Sequence, residues 1–321
     1  MRIPFILGVV VWQILGVTSA LALDWPQQPI HLIVSFGAGG GADIVARVIA
    51  DAMQARLGTP VVVENKPGAG GILGNEIVAN AVPDGYTLGI MTAGQIIAAT
   101  TRKEMPYDTS ALTPVSHLAD ASLMIVTYPH FPADNISGLI AAAKLNPSKI
   151  VFASAGFGAT QHFAGELFKQ AAGIDLLHVP FRSSPEAINA VVSKQADVLF
   201  DTVSALIGQV RSGALKALAV TGRTRIPAAP TVPTAIESGL LPDYDVTTWY
   251  GVFGPPKMPA AIVNRINRAV NDVIDDEKVH ARLIAVGVAV RGSTASDFGS
   301  FMSDEYARWN TVREAAGIAQ Q

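Results

Sequence analysis

The chain contains no cysteine and carries little charge, with 15% of its 321 residues Asp, Glu, Lys or Arg. Without thiols no disulfide can staple the fold, so a sizeable apolar core must stabilise it. Lipid attachment through cysteine is excluded for the same reason. The formal net charge is −3 and no long basic run occurs, which argues against a nucleic-acid partner. Also missing are G-x-S-x-G, H-E-x-x-H, C-x-x-C and Walker loops. The six histidines, at 31, 117, 130, 162, 178 and 280, show no metal-ligand spacing. Neither an enzyme, a cofactor nor a metal site is expected from these absences.

Apolar residues, by contrast, make up 50% of the chain, as in well-buried α/β sheets. Residues 1–22 read as a secretory signal. Arg2 precedes an apolar run from Ile3 to Val17, and Ala20-Leu21-Ala22 supplies a small-x-small cleavage site. An uncleaved membrane anchor is the alternative reading of that run. No later segment is apolar and long enough to span a bilayer. The expectation is a soluble protein of the Gram-negative periplasm, about 300 residues long after cleavage and divided into two domains.

The stretch Ile30 to Arg47 organises the rest of the chain. Ile30 to Val34 predicts a buried strand, Gly37, Gly39, Gly40 and Gly41 a tight turn, and Ile44, Val45, Val48, Ile49 and Met53 a helix face. A strand passing through glycines into a helix leaves backbone N–H groups open to an anion, and the helix dipole adds partial positive charge. Gly37, Gly39 and Ala42 also fit G-x-G-x-x-A, with Glu64 about 20 residues on, as in a dinucleotide fold. Asp43, in the first turn, would oppose a pyrophosphate there. It reads equally as a helix-capping residue or as a ligand contact.

Strands and helices then alternate, which predicts a parallel, doubly wound sheet with ligands gathered outside its carboxyl edge. Strands are expected at 60–64, 86–91, 150–154, 176–181, 196–200 and 215–220, with a short one at 288–290. Val115 to Tyr128 reads as two apolar runs broken at Asp120-Ala121-Ser122 and marks the first interdomain crossing. Tyr244 to Phe253 marks the second, with Trp249 and Tyr250 near the cleft. The resulting division is 23–124 with 246–321 as one domain and 125–245 as the other. A second glycine loop, 65–71, opens a helix through Ile77. Ala155 to His162 repeats the strand–glycine–helix device. In it Thr160 reads as a helix cap, and His162 as a hydrogen-bonding residue rather than a metal ligand. The C-terminal part is mainly helical, at 260–275, 278–285 and 295–316.

Taken together, IHLIVSFGAGGGADIVAR, VVVENKPGAGGILGNEIVANAVPDGYTLGIMT, ASAGFGATQHFAGELF, HVPFRSSPEAINAVVSKQADVLFD and TWYGVFGP resemble the substrate receptors of tripartite tricarboxylate transporters, the Bug family. The likeness implies a type II periplasmic binding protein, two α/β domains joined by two crossings and closing on a small organic carboxylate. It implies, by position, first-domain contacts from Phe36, Gly39, Gly40, Gly41, Ala42, Asp43, Thr92 and Ala93. Ser154, Gly158, Ala159, Thr160, Gln161 and His162 would come from the second domain, with Phe181, Arg182, Asp201 and Thr202 at the far end of the ligand. The implied partners are the ligand and the membrane components of such a transporter, with the receptor a monomer. Two departures stand out: Gly37-Ala38 replaces the prolines usual before the first glycines, and Arg182-Ser183 replaces lysine-glycine. Two other functions stay open, a nucleotide-dependent oxidoreductase and a sensor feeding a signalling system. Which carboxylate binds is left open as well.

Overall fold

The structure, a computed structural model, describes residues 25–315 and residue 320. The secretory-signal expectation for residues 1–22 lies outside them. The first half begins β1 (Ile30–Val34), α1 (Gly41–Leu57), β2 (Val61–Asn65), α2 (Ile72–Ala79), β3 (Thr87–Thr92) and α3 (Ala93–Thr100). β2, β1 and β3 are parallel neighbours, as the alternation of strand and helix predicts.

β4 (Thr113–Thr127) is one continuous strand of 15 residues. The expected break at Asp120-Ala121-Ser122 is therefore corrected. Asp120 sits within the strand because its carboxylate is held by His117 Nε2 at 2.9 Å and Arg291 Nε at 2.5 Å. β4 also carries the chain from one half of the sheet to the other. Thr113 to Ser122 pair antiparallel with β9 (Thr247–Gly254), and Leu123 to Thr127 pair antiparallel with β7 (Val198–Thr202). β9 is antiparallel to β3 as well, so the sheet is mixed and not wholly parallel. Its two returning strands run against the βαβ units on either side.

Beyond β4 come α4 (Ile136–Leu145), β5 (Val151–Ser154), α5 (Thr160–Ala172), β6 (Leu177–Pro180) and α6 (Ser184–Val192). After β7 are α7 (Val203–Arg211) and β8 (Lys216–Val220). β5 is parallel to both β6 and β7. The chain then returns through β9 and ends in α8 (Ala260–Ile274), α9 (Glu277–Ala285), β10 (Val288–Val290) and α10 (Ala295–Ala315).

Apolar packing both serves each half and joins them. Val45, Ile49 and Met53 of α1 are buried with Ile266, Val270 and Ile274 of α8 in one cluster. A second cluster, containing Ile96, Phe163, Phe168, Trp249 and Trp309, spans both halves. There Glu305 of α10 accepts from the indoles of Trp249 at 2.8 Å and Trp309 at 2.9 Å, so one buried carboxylate fixes α10 to β9. Trp309 meets the ring of Phe163 edge-on at 6.0 Å, which seats α10 against α5 of the second half.

Candidate functional site

The loops leaving β1, β3, β5, β6 and β7 meet at one edge of the sheet and enclose a cavity of about 40 Å³. That is room for about one or two water molecules. Phe36, Gly40, Gly41 and Ala42 form one wall, with Thr92 beside them. Ala155, Thr160, Gln161, Ser184 and Thr202 form the opposite wall, and Leu123, Thr248 and Tyr250 of the two crossing strands form the floor. No Lys, Arg, His, Asp or Glu lines it.

Five helices point their N-termini at this cavity, and the way they are capped separates them. α3 is capped by Thr92 Oγ1, which accepts from the Gly94 N–H at 3.1 Å, and α6 by Ser183 Oγ, which accepts from Glu186. α1, α5 and α7 have Gly40, Ala159 and Thr202 at the N-cap, and none of these supplies a side-chain cap. Their first-turn N–H groups have no intrahelical partner by geometry. The aligned peptide dipoles place about half a positive charge at each end. Three uncapped termini around one small cavity present donors and partial positive charge suited to an anion without any basic side chain.

Tyr250 adds a fourth donor. Its hydroxyl is buried with no partner at full hydrogen-bonding geometry, and the hydroxyls of Thr202 and Ser204 lie within reach of it. Burial pushes its phenol well above the ordinary value, so the proton stays on at neutral pH. A Cβ on Gly41 would lie 2.5 Å from Tyr250 Oη and 2.8 Å from Ser204 Oγ. Only glycine leaves these hydroxyls and the start of α1 so close together.

Behind the wall, polar side chains hold the donors in place. Asp43 accepts from the Gly39 N–H at 2.8 Å, Arg47 Nε at 3.0 Å and Asn65 Nδ2 at 2.9 Å. Burial raises its carboxyl, but the hydrogen bonds from Arg47, Gly39 and Asn65 outweigh burial and hold it below the usual range. Asp201 is fully buried. It accepts from Gln161 Nε2 at 3.0 Å, from the Thr202 N–H at 2.7 Å and from the Ser184 hydroxyl. Burial without a cationic partner pushes its carboxyl up, and those hydrogen bonds offset the rise only in part. Thr92 is held by Gln95, which reaches Asn75 and the Ile90 carbonyl.

Of the residues singled out from sequence, Phe36, Gly40, Gly41, Ala42, Thr92, Thr160, Gln161 and Thr202 line the cavity. The others do not, each for a visible reason. Gly39 and Asp43 are occupied with each other, and Ala93 is buried inside α3. Ser154 Oγ is paired with His178 Nε2 at 2.7 Å. His162 stacks on His178 at 4.2 Å, and its Nδ1 accepts from the Gly158 N–H at 3.3 Å, which withdraws that donor from the cavity. Burial holds His162 neutral, down to about 3, with His178 at about 4 for the same reason. Ala159 is wholly buried behind the first turn of α5, and Asp201 lies behind Ser184 and Gln161. Phe181 uses its N–H on Ser154 and packs into the apolar cluster under α6. Arg182 is exposed at the start of α6, where its backbone N–H meets Glu186 at 3.2 Å. Tyr250 lies in the cleft as expected, whereas Trp249, on the other face of β9, reaches Glu305. Leu123, Ala155, Ser184 and Thr248 were not anticipated. Only the polarity of Ser184 beside a helix start offered any signal.

The sequence profile described as "Tripartite tricarboxylate transporter family receptor" matches residues 45–318. The solved periplasmic binding protein BugD is 34% identical, covers 92% of this chain and 100% of its own, and superposes with a TM-score of 0.87. MatC from Rhodopseudomonas palustris, solved with bound malate, is 31% identical over 90% of this chain and 99% of its own, with a TM-score of 0.84. An R. palustris protein solved with adipate is 29% identical over 92% of this chain and 99% of its own, with a TM-score of 0.89. With the fold and the family profile in agreement over nearly all the described residues, the chain belongs to the receptors of the tripartite tricarboxylate transporter family.

Proposed function

We propose that this receptor takes up a small carboxylate in the periplasm and delivers it, as a monomer and without chemistry, to the membrane components of a tripartite tricarboxylate-type transporter. One observation carries the reading. Three uncapped helix N-termini and the buried Tyr250 hydroxyl surround a cavity lined by no charged side chain. Such a site stabilises an anion through fixed dipoles and donors. Malate and adipate in two relatives supply the chemical class. The near carboxylate would meet the N–H groups of Gly41 and Ala42 from one side and of Thr160 and Gln161 from the other. Thr92, Thr202, Ser184 and Tyr250 would supply hydroxyls.

A cavity of about 40 Å³ does not admit a dicarboxylate unless its walls part. We assign residues 23–124 with 246–321 to one lobe and residues 125–245 to the other, hinged where β4 changes partners after Ser122 and where the chain enters β9. Ligand then enters an open cleft that shuts by hinge motion. The dinucleotide reading finds less support. Glu64 pairs with Lys66 at 3.0 Å and His31 at 2.5 Å, and the first turn of α6 packs against the glycine loop.

A thermal-shift screen of carboxylic acids tests the proposal. Saturation at a hundredfold the Kd adds about 2.7 kcal/mol, which corresponds to a Tm rise of roughly 4–5 °C at this size. A screen in which sugars or inorganic phosphate stabilise the protein and no carboxylate does would overturn it. So would flavin or nicotinamide absorbance in the purified protein.

A further inference from the structure

The glycines of the loop after β1 are of two kinds. Gly39, at φ +83°, needs glycine for its own turn, since L side chains rarely adopt that conformation. Gly37 is not among the positive-φ residues, so alanine there is unstrained within the loop. What a side chain at 37 would meet belongs to the other half of the molecule. Its Cβ would fall 2.8 Å from Cβ of Ser183 and 3.5 Å from Ser183 Oγ, with no other atom beyond its chain neighbours inside 4 Å. The contact is with a Cβ and not with the end of a long side chain, so rotation about χ1 does not relieve it. Ser183 is also the N-cap of α6, its Oγ accepting from the Glu186 N–H. The pairs at Gly40 and Gly39 are looser, at 3.5 Å to Ser184 Cβ and 3.7 Å to Pro185 Cγ, whereas Gly41 is as tight, with Ser204 Oγ at 2.8 Å, but meets hydroxyl groups of the cavity wall and not a Cβ.

We infer that Gly37 and Ser183 act as a steric gauge across the cleft: the side-chain volume at these two positions sets how far the lobes shut, and with it the length of carboxylate the site retains. This inference rests on the two-lobed carboxylate receptor proposed above. Carbon atoms pack best at 3.5–4.0 Å, so a methyl group at position 37 holds the walls apart by about 1 Å. That is comparable with the extension one methylene gives a linear diacid. Gly37→Ala therefore shifts the preferred length upward, and Ser183→Gly, by removing the opposing Cβ, shifts it back.

Titration calorimetry with the linear dicarboxylates from malonate to suberate tests the gauge on wild type, Gly37→Ala, Ser183→Gly and the double variant. Gly37→Ala is expected to weaken the best wild-type diacid by about 5- to 150-fold, the equivalent of the usual overpacking penalty. Longer diacids lose less, and the double variant returns to within about threefold of wild type, a strongly non-additive pair. Melting of the ligand-free proteins should be the same for wild type and Gly37→Ala. Equal losses at every chain length, additive effects in the double variant, or a large fall in ligand-free Tm would each overturn the gauge. A wild-type protein that binds the series while the variants behave additively refutes the gauge alone. A wild-type protein that binds none of the series removes the gauge, and the receptor reading falls with it when no other carboxylic acid raises the Tm.

Discussion

Replacing Tyr250 by phenylalanine should move stability and affinity in opposite directions, which few binding-site substitutions do. The Tyr250 side chain is 1% exposed and its hydroxyl has no partner of good hydrogen-bonding geometry, Thr202 and Ser204 being the nearest hydroxyls. An unsatisfied buried hydroxyl costs about 1–3 kcal/mol, and removing it relieves that cost. At this size each kcal/mol corresponds to roughly 1.5–2 °C, so ligand-free Tyr250→Phe should melt a few degrees above wild type. With a carboxylate in the cleft, the same hydroxyl becomes a donor to a charged acceptor, an interaction worth about 1.5–3 kcal/mol. Its loss should weaken binding by about 10- to 150-fold. Differential scanning calorimetry without ligand and titration calorimetry with a carboxylate that stabilises the wild type measure the two effects. A lower ligand-free Tm would show that Thr202 or Ser204 already satisfies the hydroxyl. An unchanged Kd would show that it does not face the ligand.

Arg182→Ala should leave the Kd within about twofold of wild type, because that side chain is exposed and lies outside the cavity wall; a tenfold loss by calorimetry would return it to the site. Asp201 is raised by burial, so its contribution to stability is full below its unfolded value of about 3.9 and is lost as pH rises through the folded one. Asp201→Asn should accordingly gain on wild type as pH rises above about 4, and parallel melting curves would contradict this. In a chain without cysteine, Gly40→Cys with Ser184→Cys brings two Cβ positions to 3.5 Å, within the usual disulfide range. The oxidised protein should be locked compact by small-angle scattering, and failure to cross-link would argue that the lobes do not shut this far.

Much of the fold was legible because α/β alternation writes itself into local pattern. β1 and β10 fall where their apolar runs place them, and α8 and α9 where their helical spacing does. α3 was not read from sequence because all eight of its residues are buried, which leaves no polar face to reveal a helical period. α7 was overlooked despite apolar Val203, Leu206, Ile207 and Val210 at helical spacing. The apparent break in β4 arose from Asp120, whose partner Arg291 lies 171 residues away and cannot be read locally. The site divides in the same way. Residues at strand-to-helix junctions, such as Gly41 and Thr160, reach the cavity because the topology brings those junctions to one edge. Whether a polar side chain at a junction faces the cavity or supports it depends mostly on distant partners. Asp43 turns back to Arg47 and Asn65, Asp201 to Ser184 and Gln161, and His162 to His178. Only the Asp43–Arg47 pairing, one helical turn apart, is written into local pattern.

The claim that the carboxylate is held by backbone donors at helix ends is tested most directly by amide proton shifts during a titration. In isotope-labelled protein titrated with a carboxylate that raises the Tm, the largest downfield movements should fall on Gly41, Ala42, Thr160 and Gln161, the uncapped first turns of α1 and α5. The N–H groups of Gly39 and Gly158, already bonded to Asp43 and His162, should move less. Binding that leaves the first-turn amides still, with its shifts centred on Arg182 or another basic side chain, would contradict the account.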